Sequence, residues 1–455
     1  MELWGGAFMS SVSPSKIAEK KTRFILMMLL IFSIVTYLDR VNISIAAKYI
    51  IPQFGFSSVQ MGWIFSAFVF GYALLQIPGG WLGDRFGPRK VLTGAVIWWS
   101  VFTALTGVAY RIIGFSAVGI LGSFIIIRFF VGLGEAVALP TYNRVIANWM
   151  APEKRAWASG FVLAGLGMGG AIAPPFIALI MRLLGWPAAF YICSSLGIIL
   201  GGIWYRYGSD APAKTHDVPM GATLTLQSDE QATSLVNKSA GTFRQPTPWL
   251  AILSNKNVWL ITFSQVCVGY VVNVYAAWFY LYLTEVRGFS MLRGSFYATG
   301  PFLASAVLPF PVGKLCDYLS HRYGKRIGRN GTALGTMLLA AIMVFWGARV
   351  ANPYVAIAAL SVGDGCLFAA ITAFWATVVD IAGESAATVT GLTIVGTNSG
   401  GTIAPIATPL IARAFGWTAA LDCAAALSLV GGLVWLLIHP ERTIVEKPAM
   451  DAVSQ

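Results

Sequence analysis

Twelve apolar stretches, each near the length of a bilayer span, run through this chain. They fall at about 24–47, 58–82, 91–111, 118–140, 156–182 and 187–207, then at 257–283, 290–315, 331–350, 354–378, 386–413 and 418–438. Crossing the hydrocarbon core takes about 20 apolar residues in a helix. Without water there, each backbone N–H and C=O must find its partner inside the segment, so helices are the natural spanning element. The pattern predicts an all-α integral membrane protein with twelve transmembrane helices. Composition agrees: 57% of the 455 residues are hydrophobic and 11% charged, against about a quarter charged in soluble domains. The first stretch is too long for the apolar core of a cleavable signal.

The stretches form two groups of six separated by residues 208–256, which are rich in Ser, Thr, Pro and Gly and read as a linker. The expected organisation is a tail over 1–23, a six-helix bundle over 24–207, the linker, a second bundle over 257–438 and a tail over 439–455. An internal repeat supports this division. "GGAIAPP" at 169–175 recurs as "GGTIAPI" at 400–406, "GWPAAF" at 185–190 as "GWTAAL" at 416–421, and "VGLGE" at 131–135 as "VGDGC" at 362–366, all at an offset of 231. Six helices per copy make the repeats parallel, so they should be related by an axis along the membrane normal, around a central cavity.

The net charge of +12 does not point to nucleic acid. Most Lys and Arg fall in segments on one side of the membrane, and the positive-inside rule then places both termini in the cytoplasm. The five cysteines lie in or beside apolar stretches without CxxC spacing and read as small buried hydrophobes. Neither they nor the three histidines suggest a metal site.

Against this background "IFSIVTYLDRVNISIAA" at 31–47 is anomalous, because Asp39 and Arg40 stand in the middle of a span. So do Arg128 and Glu135 in the fourth stretch. A charge at mid-bilayer costs about 2.5–3.5 kcal/mol even on the mildest scales, and such groups face a bundle interior or water. Arg128 and Glu135 are two turns apart and share a helix face. At the 231 offset their counterparts are Ala359 and Cys366, while Asp39 and Arg40 meet only Val272, Asn273 or Val274. Charges confined to one copy of a duplicated fold indicate function rather than architecture. Fully ionised, the four sum to zero; protonating a carboxylate leaves a net positive site that favours an anion. Low dielectric favours the neutral carboxyl, so proton loading and anion binding should reinforce each other. An arginine fork suits a carboxylate.

"GWLGDRFGPRK" at 80–90 and its weaker copy "GKLCDYLSHRYGKR" at 313–326 resemble the signature loops of the major facilitator superfamily. "YLDRVNIS", "RFFVGLGEA", "WFYLYL" and "GTNSGG" further resemble its anion:cation symporter family. That family includes bacterial sugar-acid and aromatic-acid proton symporters and the animal sialic-acid and vesicular glutamate transporters. The resemblance implies that Asp39 and Glu135 carry the coupling proton, that Arg40 contacts the substrate carboxylate and that Arg128 couples the two sites. It places Tyr37, Tyr72, Thr372, Trp375 and Asn398 near the substrate, with Tyr275 and Trp278 as further lining residues. Asp84, Arg85 and Arg89 in the first loop, and Asp317 in the second, are expected to gate the bundle. Leu166 stands where some sugar-acid members carry Gln, which argues for a smaller or more aromatic carboxylate than galactonate. Asp364, beside the counterpart of Glu135, is expected to cap the outer part of its helix, and Asp380 and Asp422 to be solvated.

The expected function is a proton-coupled symporter importing a small organic anion by alternating access, monomeric, in a plasma membrane and with no cofactor beyond the proton. An exchanger, a sodium-coupled carrier or a facilitator would use the same fold. Without GxSxG, HExxH or Walker motifs, an enzyme is not expected.

Overall fold

The computed structural model describes residues 14–112, 117–150, 152–210 and 249–444. The outer parts of both expected tails (1–13 and 445–455) and most of the expected linker (211–248) lie outside the described residues. Those residues form helices and turns, with no strand among them.

The first half contains α1 (Pro14–Phe54), α2 (Ser58–Phe86), α3 (Pro88–Thr106), α4 (Ala117–Ala136), α5 (Ala138–Trp149), α6 (Pro152–Leu184) and α7 (Trp186–Tyr207). After the short α8 (Trp249–Ser254), the second half contains α9 (Lys256–Leu281), α10 (Met291–Tyr297), α11 (Thr299–Val307), α12 (Pro309–Tyr323), α13 (Gly331–Arg349), α14 (Pro353–Ala382), α15 (Ala386–Phe415) and α16 (Trp417–Leu433). With α4–α5 as one broken rod and α10–α12 as another, six rods make up each half. Ten helical stretches among the described residues are long and apolar enough to cross a membrane by that measure alone. The two remaining rods are α3, which opens on Arg89 and Lys90, and α15, diluted by Thr, Ser, Asn and Gly.

Local chemistry sets the boundaries. Ser57 and Gln60 form a reciprocal capping box at the start of α2, and Asn255 and Asn352 cap α9 and α14, satisfying N–H groups that have no partner in the first turn. Pro140 accounts for the break between α4 and α5, since proline removes a backbone donor and crowds the preceding turn. The eighth stretch, expected as one helix over 290–315, is divided into three around prolines and continues to Tyr323. The first helix begins at Pro14 rather than near 24: the charged turn Glu19–Arg23 is itself helical and closed by an i,i+4 ion pair of 2.5 Å.

Packing repeats between halves. Helix α1 packs on α6 as α9 packs on α15; α2 on α4 as α11 on α14; α3 on α7 as α13 on α16. Small residues permit close approach, as membrane helices require in the absence of a hydrophobic driving force. A Cβ at Gly132 of α4 would strike the Phe68 carbonyl and Tyr72 amide of α2, and one at Gly269 of α9 would strike the Thr397 backbone of α15. Gly185 and Gly416, 231 residues apart, adopt φ of 85° and 88° at equivalent turns, a conformation that favours glycine.

The halves meet through α2 against α15, α6 against α11, and α1 against α9. The first two pairs exchange under the same two-fold that relates the repeats. Ser66 donates to the Thr402 carbonyl at 2.6 Å, and Phe65 packs edge-on against Trp278 at 5.3 Å. One apolar core, containing Ile43, Ile50 and Phe65 together with Val274, Trp278 and Leu281, joins both halves. A second, around Leu29, Trp99, Val145 and Trp204, draws on the first half only. The first-half members of the shared core lie toward the end of the bundle away from the described chain termini, called the far end below, so that is where this core joins the halves.

Candidate functional site

Midway through the first half, α1 and α4 place the expected charges together. Arg40 Nε donates to Glu135 Oε2 at 2.8 Å. The Glu135 side chain is fully buried, whereas Arg40 keeps 24% of its own accessible, so the arginine is the less covered partner of the pair. Its carbon lies 4.5 Å from the centre of the Tyr72 ring, 5.4 Å from that of Phe68 and 5.9 Å from that of Tyr37. Three aromatic faces hold the cation while one of its five donors serves Glu135.

Behind this pair lie Asp39 and Arg128, both buried. Neither Asp39 oxygen has a hydrogen-bond partner, and the Arg128 Nε and Nη1 also lack one. The Arg128 guanidinium stacks over Phe68 at 4.8 Å and lies within Coulombic reach of Glu135, Asp39 and Arg40. Glu135 Oε1 is unpartnered as well. The quartet is therefore gathered but incompletely satisfied. Buried polar groups are normally hydrogen-bonded, so these exceptions mark places where a proton, a ligand group or a rearranged partner can be received.

The other expected residues divide. Tyr37 and Tyr72 belong to the cage around Arg40. Tyr275 is buried with its hydroxyl unpartnered. Trp278 is not brought to Arg40: it is buried, its indole N–H donates to the Pro405 carbonyl at 3.1 Å, and its ring braces Phe65. Asn398 bridges the halves, with Nδ2 donating to Gln76 Oε1 at 3.1 Å; Gln76 was not anticipated. Thr372 donates to its own helix at the Ala369 carbonyl, and Trp375, one turn on, is 44% exposed.

At the loops, Arg85 lies over Trp81 and Phe86. Arg89 donates through its guanidinium to the Tyr205 carbonyl and through its backbone N–H to Asp210 Oδ1 at 2.7 Å, tying the turn to the end of α7. The side chain of Asp84 lies outside the described residues. Asp317 pairs with Arg329 at 2.8 Å, and Arg329 also meets Asp380 at 3.1 Å, which in turn holds Lys325 at 2.7 Å. Asp380 is thus not a solvated helix end; at 14% exposure it is the centre of an ion network joining α12 to α14. Asp422 is only partly solvated and takes a two-pronged contact from Arg349. Asp364 also departs from expectation. Asn352 caps that helix, and Asp364 lies three turns inside it, 2% exposed.

Comparison with known proteins identifies the family and the fold. The model of the Major Facilitator Superfamily matches residues 29–405. The chain is 31% identical over 431 residues to a probable sulfoacetate transporter of Cupriavidus necator, covering 93% of this chain and 95% of that one. It is 31% identical over 428 residues to a D-galactonate transporter of Escherichia coli, covering 91% and 94%. Among solved structures it resembles a bacterial homologue of the human lysosomal transporter Spinster, with TM-score 0.74, 18% identity and coverage of 92% and 96%. It also resembles the xylose transporter XylE of E. coli, with TM-score 0.69, 14% identity and coverage of 91% and 96%. Rods, repeat, loops and relatives coincide: the chain belongs to the Major Facilitator Superfamily and is a multi-pass membrane transporter, not an enzyme.

Proposed function

We propose that the protein is a symporter that imports a small organic anion together with protons, acting as a monomer in a plasma membrane with both termini in the cytoplasm. The observation that carries this reading is the Arg40–Glu135 pair, a partly accessible arginine side chain bound to a fully buried carboxylate. Protonating Glu135 weakens that bond and frees a second edge of the fork, onto which a substrate carboxylate or sulfonate can dock. Conversely, an anion docked on Arg40 competes with Glu135 for it and favours the proton on Glu135. Each event strengthens the other, which is the reciprocity coupling requires. Arg128 keeps the inner site positive when Asp39 or Glu135 is neutral.

Relatives named for sulfoacetate, D-galactonate, galactarate or D-glucarate, and hexuronate support an anion of this size. Purified protein in liposomes, with a pH-sensitive dye inside, tests the reading directly. Adding sulfoacetate or D-galactonate outside should acidify the interior as the anion enters. Uptake of those anions without proton movement, or only in exchange for an internal anion or with sodium, would contradict it.

A further inference from the structure

The quartet is confined to the first half, but the second half has a buried carboxyl of its own. Asp364 sits in the sequence "GDG" of α14, two residues before the counterpart of Glu135 and hence on a different face. Val362, about 200° away around the helix, is exposed, so Asp364 opposes the outward face and is directed inward. Its flanking glycines fix what surrounds it. Gly363 packs on Val344 and the Ala340 carbonyl of α13 and approaches the Tyr275 hydroxyl of α9, while Gly365 packs on Ala304 and Leu308.

The titratable groups that feel Asp364 are Tyr37 of α1, Tyr275 of α9 and Cys366 of its own helix. Among the described residues no cationic donor hydrogen-bonds Asp364 Oδ1. Asp364 Oδ1, Ser361 Oγ one turn earlier, and Tyr275 Oη are all buried and all unpartnered. A buried carboxylate with no cation is far costlier than a neutral carboxyl, which needs only ordinary hydrogen bonds. Ser361 and Tyr275 carry unpartnered hydroxyls in its neighbourhood that a side-chain adjustment would have to bring to it.

We propose that Asp364 is a second proton-binding site of this transporter, carrying a proton in the conformation described here and exposed to exchange when the halves part at the far end. The α11 segment that packs beside Asp364 at Ala304 and Leu308 is itself covered by the first half. The Tyr37 ring meets Phe302 of α11 edge-on at 5.6 Å. Gly170 and Gly167 of α6 lie so close to Phe302 and Ala306 that added Cβ atoms would approach them to 2.7 and 3.0 Å. Separating α1 and α6 from α11 removes that cover. Tyr37 flanks Arg40 with its ring and lies within electrostatic reach of Asp364, and so relates the second-half proton to occupancy of the first. The purpose assigned to the proton rests on the symport reading; its presence does not.

Infrared spectroscopy of the purified protein in nanodiscs, without substrate, tests the site. The wild type at neutral pH should show the carbonyl band of a protonated carboxyl that is lost in Asp364→Asn and restored in Asp364→Glu. Because Asn mimics the neutral acid, Asp364→Asn should also keep the thermal stability of the wild type. An Asp364→Asn spectrum that retains the whole band would overturn the proposal. So would a stabilisation of the wild type by sodium chloride over choline chloride that Asp364→Asn abolishes, since that would identify a sodium site. Failure of proton-coupled uptake in liposomes leaves the infrared result standing, so the two readings fail separately.

Discussion

At the scale of single residues, the central interaction is a pair whose partners are unequal in environment. Removing one partner of a buried ion pair typically costs about 3–5 kcal/mol, because the remaining charge is stranded. Arg40→Ala should therefore abolish anion binding and lower stability by about that amount, whereas Arg40→Ala/Glu135→Gln should recover much of the stability and none of the binding. Thermal unfolding with and without sulfoacetate reads both effects, and additive losses in the double variant would deny the coupling. Glu135→Gln alone should still bind the anion but no longer accumulate it against a gradient. How much of this site was legible depends on what each inference needed. The charges themselves, and the shared face of Arg128 and Glu135, follow from sequence and helix geometry. That Arg40 rather than Arg128 binds Glu135 depends on how α1 and α4 are rotated against each other, which no local pattern encodes. The family resemblance is what places Trp278 and Asn398 near substrate. Their partners prove to be Pro405 and Gln76, the latter in the opposite half.

At the scale of elements, the bundle depends on glycines where helices touch. Gly132 brings α4 onto the backbone of α2, so Gly132→Ala should cost about 1–3 kcal/mol, the usual penalty of overpacking. Gly122→Ala on the same helix, where an added Cβ meets nothing within 4 Å, should leave the melting temperature unchanged. Equal effects at the two positions would deny that close approach is the cause. The repeat motifs made these elements readable, since "GGAIAPP" and "GGTIAPI" mark equivalent helices in the two halves. The ion network was less legible. Asp317 was recognised from its loop motif, but Arg329 and Asp380 are 51 residues apart and carry no signature of their own. Only the packing of the segment between α12 and α13 against α14 makes them partners.

At the scale of the whole molecule, two cores describe the conformation: one that runs through the second half and joins the first at the far end, one private to the first half. Transport by alternating access requires the shared contact to open. Cysteines at Ser66 and Thr402, in a background without the native cysteines, should cross-link readily and arrest uptake until reduced; undiminished uptake by the cross-linked protein would show that this contact does not need to part. The account as a whole rests on reciprocal binding of proton and anion at Arg40 and Glu135, and equilibrium affinity for D-galactonate or sulfoacetate as a function of pH measures that most directly. The wild type should bind more tightly as pH falls, by up to about tenfold per pH unit for each linked proton, and Glu135→Gln should lose most of that dependence while still binding. An affinity that is indifferent to pH in the wild type, or a pH dependence that survives intact in Glu135→Gln, would contradict it.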